Sequence, residues 1–143
     1  MVFIEDSAGE FDAPLDKIWK LREVHLKSPE KVHPAMKNHK IEMQNDNVVT
    51  YTWDQDMKGM SAKVRVRATS FYPVGLVIEI LEGPLAGSRF FNYYIPRGKK
   101  TGVVLAGEFK SPVLADEKQL KSAVMEFLDT VYEEDVAYLK KMK

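Results

Sequence analysis

Between residues 39 and 110 the chain alternates apolar and polar positions, and five turn-forming clusters interrupt it: NDN at 45–47, KG at 58–59, YPVG at 72–75, GPLAG at 83–87 and RGKK at 97–100. Breaks this short leave no room for the crossover that parallel strands need, so six consecutive strands are predicted to run antiparallel. Loop length then sets register. A two-residue loop at Lys58-Gly59 would pair Met57 with Met60, Trp53 with Val64, Tyr51 with Val66 and Val49 with Ala68, which puts apolar and aromatic groups on one face. The other face sets Asp54 opposite Lys63 and carries Thr50, Thr52, Arg65 and Arg67, as a solvated surface should. A four-residue turn at 97–100 would set Tyr94 opposite Val103, Asn92 opposite Leu105, Phe90 opposite Gly107 and Arg89 opposite Glu108. Here Phe91, Tyr93 and Val104 leave the outer face nearly as apolar as the inner one.

The two ends are built differently. VFIEDSAGEF is rich in β-formers near its start and stops at Asp12-Ala13-Pro14, where proline suits the first turn of a helix better than a strand interior. On the helix that follows, Leu15, Ile18, Trp19 and Arg22 share a face. SPEKVHP then reads as a short second helix, with Ser28 as its cap and Pro29 at its first position. From Asp116 to Lys143 a helical period sets Leu120, Val124, Phe127, Leu128, Val131, Tyr138, Leu139 and Met142 on one broad face. No linker or repeat divides the chain, so one domain over residues 1–143 is expected.

A seven-stranded sheet with an apolar inner face needs a cover, and the terminal helix is the only element long enough. The fold class is therefore α+β, a curved antiparallel sheet wrapped around a long C-terminal helix, with two short helices between strands 1 and 2. GEFDAPLDKIWKL, a strand running into a proline-headed helix with an aromatic anchor, and KVHP after it resemble the helix-grip fold of the START and Bet v 1-like superfamily, which includes polyketide cyclase and dehydrase-like proteins. The resemblance implies a cavity between helix and sheet that takes a small hydrophobic or amphipathic ligand, such as a lipid or polyketide. As alternatives it implies a cyclase or dehydrase-like enzyme acting on such a ligand, or a chaperone-regulator-like interaction domain. The short helices would plug one end of the grip, with Trp19 anchoring them in the core.

Composition narrows the partners. Lys plus Arg equals Asp plus Glu at 21 each, so no global field recruits nucleic acid. The absence of cysteine removes disulfides, thiolate nucleophiles and Cys-based zinc sites together, which fits a cytoplasmic protein. No apolar run approaches the ~18 residues needed to span a bilayer, and no basic segment precedes an apolar one at the start, so neither stable membrane insertion nor a signal peptide is expected.

Asp135 is the most informative single position. At 100° per residue it falls between Val124, Leu128, Val131, Leu139 and Met142, inside the apolar face. A buried carboxylate costs several kcal/mol unless paired, so either a polar group meets it or the helix opens to water there. The first case makes Asp135 a cavity acid that binds a ligand or moves a proton, with Tyr94 and His33 as companion candidates for catalysis. Tyr51, Trp53, Gln55, Asn92 and Tyr94 put polar atoms among apolar neighbours on the inner sheet face, and with Leu128, Val131 and Asp135 they make up the expected ligand-binding set. For each aromatic residue alone, a core role with a satisfied polar tip explains it as well.

His25, His33 and His39 form no compact metal-binding pattern, so no metal site and no cofactor are expected. GPLAGS lacks the lysine of a phosphate loop and precedes a strand, which makes it a hairpin loop. No G-x-S-x-G occurs, and nucleophilic catalysis has no support. Lys63, Arg65 and Arg67 read as a solvated basic stripe. Phe91 and Tyr93, if exposed, offer a patch for a partner or for a homodimer.

Overall fold

The computed structural model describes residues 1–57 and 60–142. Seven strands form one antiparallel sheet: β1 (Val2–Phe11), β2 (Met36–Asn45), β3 (Val48–Met57), β4 (Met60–Phe71), β5 (Gly75–Glu82), β6 (Arg89–Arg97) and β7 (Lys100–Phe109). Helix α1 (Leu15–Lys27) follows β1, and helix α2 (Glu117–Lys141) follows β7. In space the strands run β1-β7-β6-β5-β4-β3-β2, so the chain between β1 and β2 joins opposite edges of the sheet. Six steps of ~4.8 Å would make a flat sheet ~29 Å wide. A 13-residue helix covers only ~20 Å, so the connection closes because the sheet curls. Register shifts between Lys37 and Lys40, Ile41 and Met43, Arg65 and Val66, and Asp6 and Gly9 supply local bends, as bulges do.

Both registers read from the turns are present. Trp53 pairs with Val64, Tyr51 with Val66 and Asp54 with Lys63, while the Lys58-Gly59 loop itself lies outside the described residues. Across β6 and β7, Tyr94 pairs with Val103, Asn92 with Leu105 and Arg89 with Glu108. The two arginines of the basic stripe are matched by acids on other strands of the sheet: Arg65 pairs with Glu42 and Glu82, and Arg67 donates to both carboxylate oxygens of Glu79 at 3.0 Å. Glutamates on β2 and β5 thus cancel the charge that the sequence concentrates on β4.

The second short helix is reduced to a single 3-10 turn, Pro29–Lys31. Ser28 makes no side-chain capping bond; instead its N–H donates to the Val24 carbonyl at 2.7 Å and ends α1. Prolines at 29 and 34 leave too few residues to propagate a helix once its first turn is formed, and Pro34 pushes His33 away from helical geometry.

Two apolar clusters hold the molecule together. One joins α1, the inner faces of β3 to β6 and Leu139; the other joins Val2, Ile4, Phe109, Leu120 and Val124, and the half-buried Leu85 and Phe90 pack against both. The buried residues of α2 are Leu120, Val124, Asp135 and Leu139, so the helix seats at its two ends. Between them Leu128 and Val131 are half-buried, and Phe127, expected on the apolar face, is exposed. Asp116 caps α2 by accepting from the Lys118 N–H at 3.1 Å. Tyr132 stacks on Phe11 and donates its hydroxyl to the Glu10 carbonyl, which ties the helix to β1. No described helix is long and apolar enough to cross a membrane.

Trp19 anchors α1, as the sequence suggests, but at the rim rather than deep in the core. It is half-buried, its indole N–H donates to the Pro73 carbonyl at 3.0 Å, and its ring meets Tyr72 and Tyr94 edge-on at 5.0 and 5.6 Å. Trp19→Phe keeps a ring and removes the hydrogen bond, so a loss of about 1 kcal/mol in urea unfolding is expected. An unchanged midpoint would show that the bond to Pro73 is worth no more than the water it displaces.

Candidate functional site

Arg22 and His25 lie three residues apart on α1 and therefore share one face of it. The 3-10 turn folds the chain back beneath that face and delivers His33, and α2 supplies Glu134 and Asp135 from the opposite side. The two imidazoles stack with centroids 4.9 Å apart. His25 Nε2 stands 2.9 Å from Asp135 Oδ1 and 2.9 Å from His33 Nε2, while His33 Nε2 stands 3.2 Å from the same Asp135 oxygen. On the far side of its ring, His33 Nδ1 lies 2.9 Å from Glu134 Oε1. His33 and Asp135 are buried at 6% and 7% exposure, so water does not support this arrangement. His25 Nδ1 is also buried and has no partner among the described residues.

Protonation follows from these contacts. Burial beside the Arg22 guanidinium drives the His25 pKa down to about 4, against the pull of Asp135, so this ring is neutral near pH 7. Burial also works against a charge on His33, but the bonds and charges of Asp135 and Glu134 outweigh it and raise its pKa. Burial alone would push Asp135 up; its contacts with His25 and His33 reverse that and hold it well below the usual carboxylate range. Asp135 is the fixed anion of the site.

Arg22 is the fixed cation. Burial disfavours its charge, but Tyr94, Tyr51 and Asp135 together raise its pKa. Among the described residues its guanidinium makes no hydrogen bond or ion pair, and the hydroxyls of Tyr51 and Tyr94 have no partner either. Arg22 and Tyr51 keep part of their surface accessible although protein surrounds them. Burial raises the pKa of both phenols, so they stand beside the guanidinium as neutral hydroxyls.

The residues expected from the sequence fall into two groups. Asp135 and His33 meet directly, and Tyr94 and Tyr51 lie within the electrostatic reach of Arg22. Trp53 is buried, stacks on Tyr51 at 5.6 Å and donates its indole N–H to Gln55 Oε1 at 2.9 Å, so the two satisfy each other. Asn92 is half-buried opposite Leu105, and Leu128 packs in the second apolar cluster, away from the histidines. Val131 is half-buried one helical turn before Asp135. His39 sits apart, tilted against Tyr51 with ring centroids 5.5 Å away.

Two residues of the site were not singled out from the sequence. Arg22 gave the same signal as Asp135, a charge on an apolar helix face, and His25 lies one turn further along that face. Histidine spacing does not reveal that His25 and His33 meet, because a turn between two residues shortens their separation without shortening the sequence.

Comparison with known proteins adds the fold and no closer relationship. No family model matches the chain, and no curated protein matches it. Among solved structures, Ara h 8.0201 superimposes with a TM-score of 0.80 at 12% identity, covering 99% of both chains. The aromatase/cyclase Zhui from a Streptomyces species gives 0.79 at 14% identity over 98% of this chain and 94% of its own. A START superfamily protein from Mycobacterium smegmatis gives 0.76 at 15% identity, covering 99% of both chains. The fold is the helix-grip fold of the Bet v 1 and START structures.

Proposed function

We propose that this protein binds a small amphipathic molecule between the sheet and α2, with its apolar body along the inner sheet face and an anionic head at Arg22. The observation that carries this reading is Arg22 itself, a charged side chain enclosed by protein and left without a partner among the described residues. A half-buried guanidinium without a protein partner among the described residues has its hydrogen bonds left to offer, and an anionic ligand would take them at close range. The hydroxyls of Tyr51 and Tyr94 would direct the same head group, and Trp53, Val66, Ile78 and Phe90 would meet the apolar part. The middle of α2, where no residue between Val124 and Asp135 is fully buried, would face that body.

The similar structures include an aromatase/cyclase, which supports an enzymatic use of the same space as a second reading. Asp135, His33 and Tyr94 would then orient the ligand and move protons. Phe91 and Tyr93, 53% and 52% exposed on the outer face, favour a protein partner as a separate reading.

Native mass spectrometry of the purified protein, repeated after denaturation and organic extraction, tests the ligand. A bound acidic amphiphile lost on unfolding is expected, with conversion of that molecule over time distinguishing turnover from storage. Arg22→Met keeps the apolar stem, and removing a charged hydrogen bond worth ~1.5–3 kcal/mol should weaken binding of the extracted molecule about 10- to 100-fold. A ligand without an acidic group, or equal retention by Arg22→Met, would overturn the anionic head.

A further inference from the structure

The structure assigns His25, His33 and Asp135 as three ligands of a divalent first-row transition ion. The assignment rests on geometry and is independent of what fills the rest of the interior.

Three atoms converge: His25 Nε2, His33 Nε2 and Asp135 Oδ1, at mutual distances of 2.9, 2.9 and 3.2 Å. Hydrogen bonds alone cannot satisfy this triangle while Asp135 is ionised. The carboxylate oxygen only accepts, so both ring nitrogens would have to donate to it, and then two N–H groups face each other. If either nitrogen accepts instead, its lone pair points at the carboxylate oxygen. With the carboxylate ionised, one side of the triangle is therefore repulsive however the two ring protons are placed. A cation at the centre accepts all three lone pairs at once.

The size of the triangle suits such an ion. Metal–nitrogen and metal–oxygen bonds of ~2.1 Å at right angles place ligand atoms ~3.0 Å apart, and the tetrahedral angle places them ~3.4 Å apart. The observed separations match one face of an octahedron. Two imidazoles and one carboxylate with open positions are a donor set for Fe²⁺, Co²⁺ or Zn²⁺, and it excludes the all-oxygen preference of Mg²⁺ and Ca²⁺.

The surroundings agree. Glu134 lies 2.9 Å from His33 Nδ1, where it accepts the ring proton and leaves the Nε2 lone pair for the ion. His25 has no such support, since its Nδ1 is buried without a partner. Asp135 and Glu134 against Arg22 leave the site net negative by one charge, which offsets part of a divalent charge. The remaining coordination positions would be free for water or for the head of a bound molecule.

The test is titration of protein stripped with a chelator. Isothermal calorimetry with Zn²⁺, and visible absorption with Co²⁺, should each give one ion per chain with a dissociation constant of about 1 μM or tighter. Circular dichroism checks the fold of each variant. His33→Gln should weaken binding at least 100-fold. Glu134→Gln, at a half-exposed position that leaves all three ligands in place, should weaken it about 10- to 100-fold as a lost supporting bond does. Absence of one-to-one uptake by the folded wild-type protein would overturn the assignment. So would uptake that both variants retain unchanged, because surface carboxylates would then be the binders.

Discussion

Asp135→Ala, measured in the presence of a chelator, is expected to lower the unfolding free energy by about 3 kcal/mol and the melting temperature by about 10 °C. The carboxylate is buried with His25 and His33 against it and Arg22 within its field. Removing it takes away a negative charge that Arg22 feels and leaves His33 without an acceptor for Nε2–H. Truncating one member of a buried charged group costs more than the group contributes as a whole, because the remaining charges stay desolvated. Asp135→Asn keeps an acceptor oxygen in the same place and should cost about half as much. The same pair of variants separates structure from function: each should lose ion binding, but the asparagine should melt only about half as far below wild type as the alanine. An Asp135→Ala protein within about 0.5 kcal/mol of wild type would mean that the cluster is hydrated and contributes nothing to holding α1 against α2.

Much of this molecule is legible in its sequence because short turns are rigid. Between Val48 and Phe71 a short connection leaves one register that keeps apolar side chains on one face, and between Arg89 and Phe109, where both faces are apolar, turn length alone points to the register; both are present. Asp135 was legible for a related reason: an α-helix fixes each residue's direction, so a carboxylate on an apolar face must be buried or paired. The less legible parts lie where the chain is irregular. The path from α1 to β2 is set by Pro29 and Pro34, which shorten the expected second helix to one turn and bring His33 beneath His25. Nothing in the spacing of two histidines reveals a fold-back between them. The breadth of the apolar face on α2 also overstated its contacts, since amphipathic period identifies the side that turns inward but not how closely a curved sheet approaches it.

That approach depends on β6 and β7, and Gly107 is where their pairing is least tolerant. A Cβ at Gly107 would stand 2.4 Å from the Arg89 carbonyl oxygen, 2.4 Å from Phe90 Cβ and 2.5 Å from Phe90 Cα. Two of these are backbone atoms of the paired strand, so rotation of a side chain cannot relieve the overlap. Phe90 is also held, stacked on Phe109 at 5.4 Å and packed against both apolar clusters. Overpacking typically costs ~1–3 kcal/mol when side chains can shift, and here the ladder itself must move. Gly107→Ala is expected to lose about 3–4 kcal/mol in urea unfolding. Gly98→Ala is the internal control: φ is +70° there and nothing lies within 4 Å, so only the left-handed backbone penalty of ~1–2 kcal/mol applies. If the two variants lose the same amount, the strands separate to admit the methyl at little cost. The inner face carrying Asn92 and Tyr94 would then be plastic, and a ligand could shape the space below α2 instead of finding it formed. If Gly107→Ala loses far more, β6 and β7 are a rigid wall, and selectivity for the proposed ligand would come from Arg22, Tyr51 and the middle of α2.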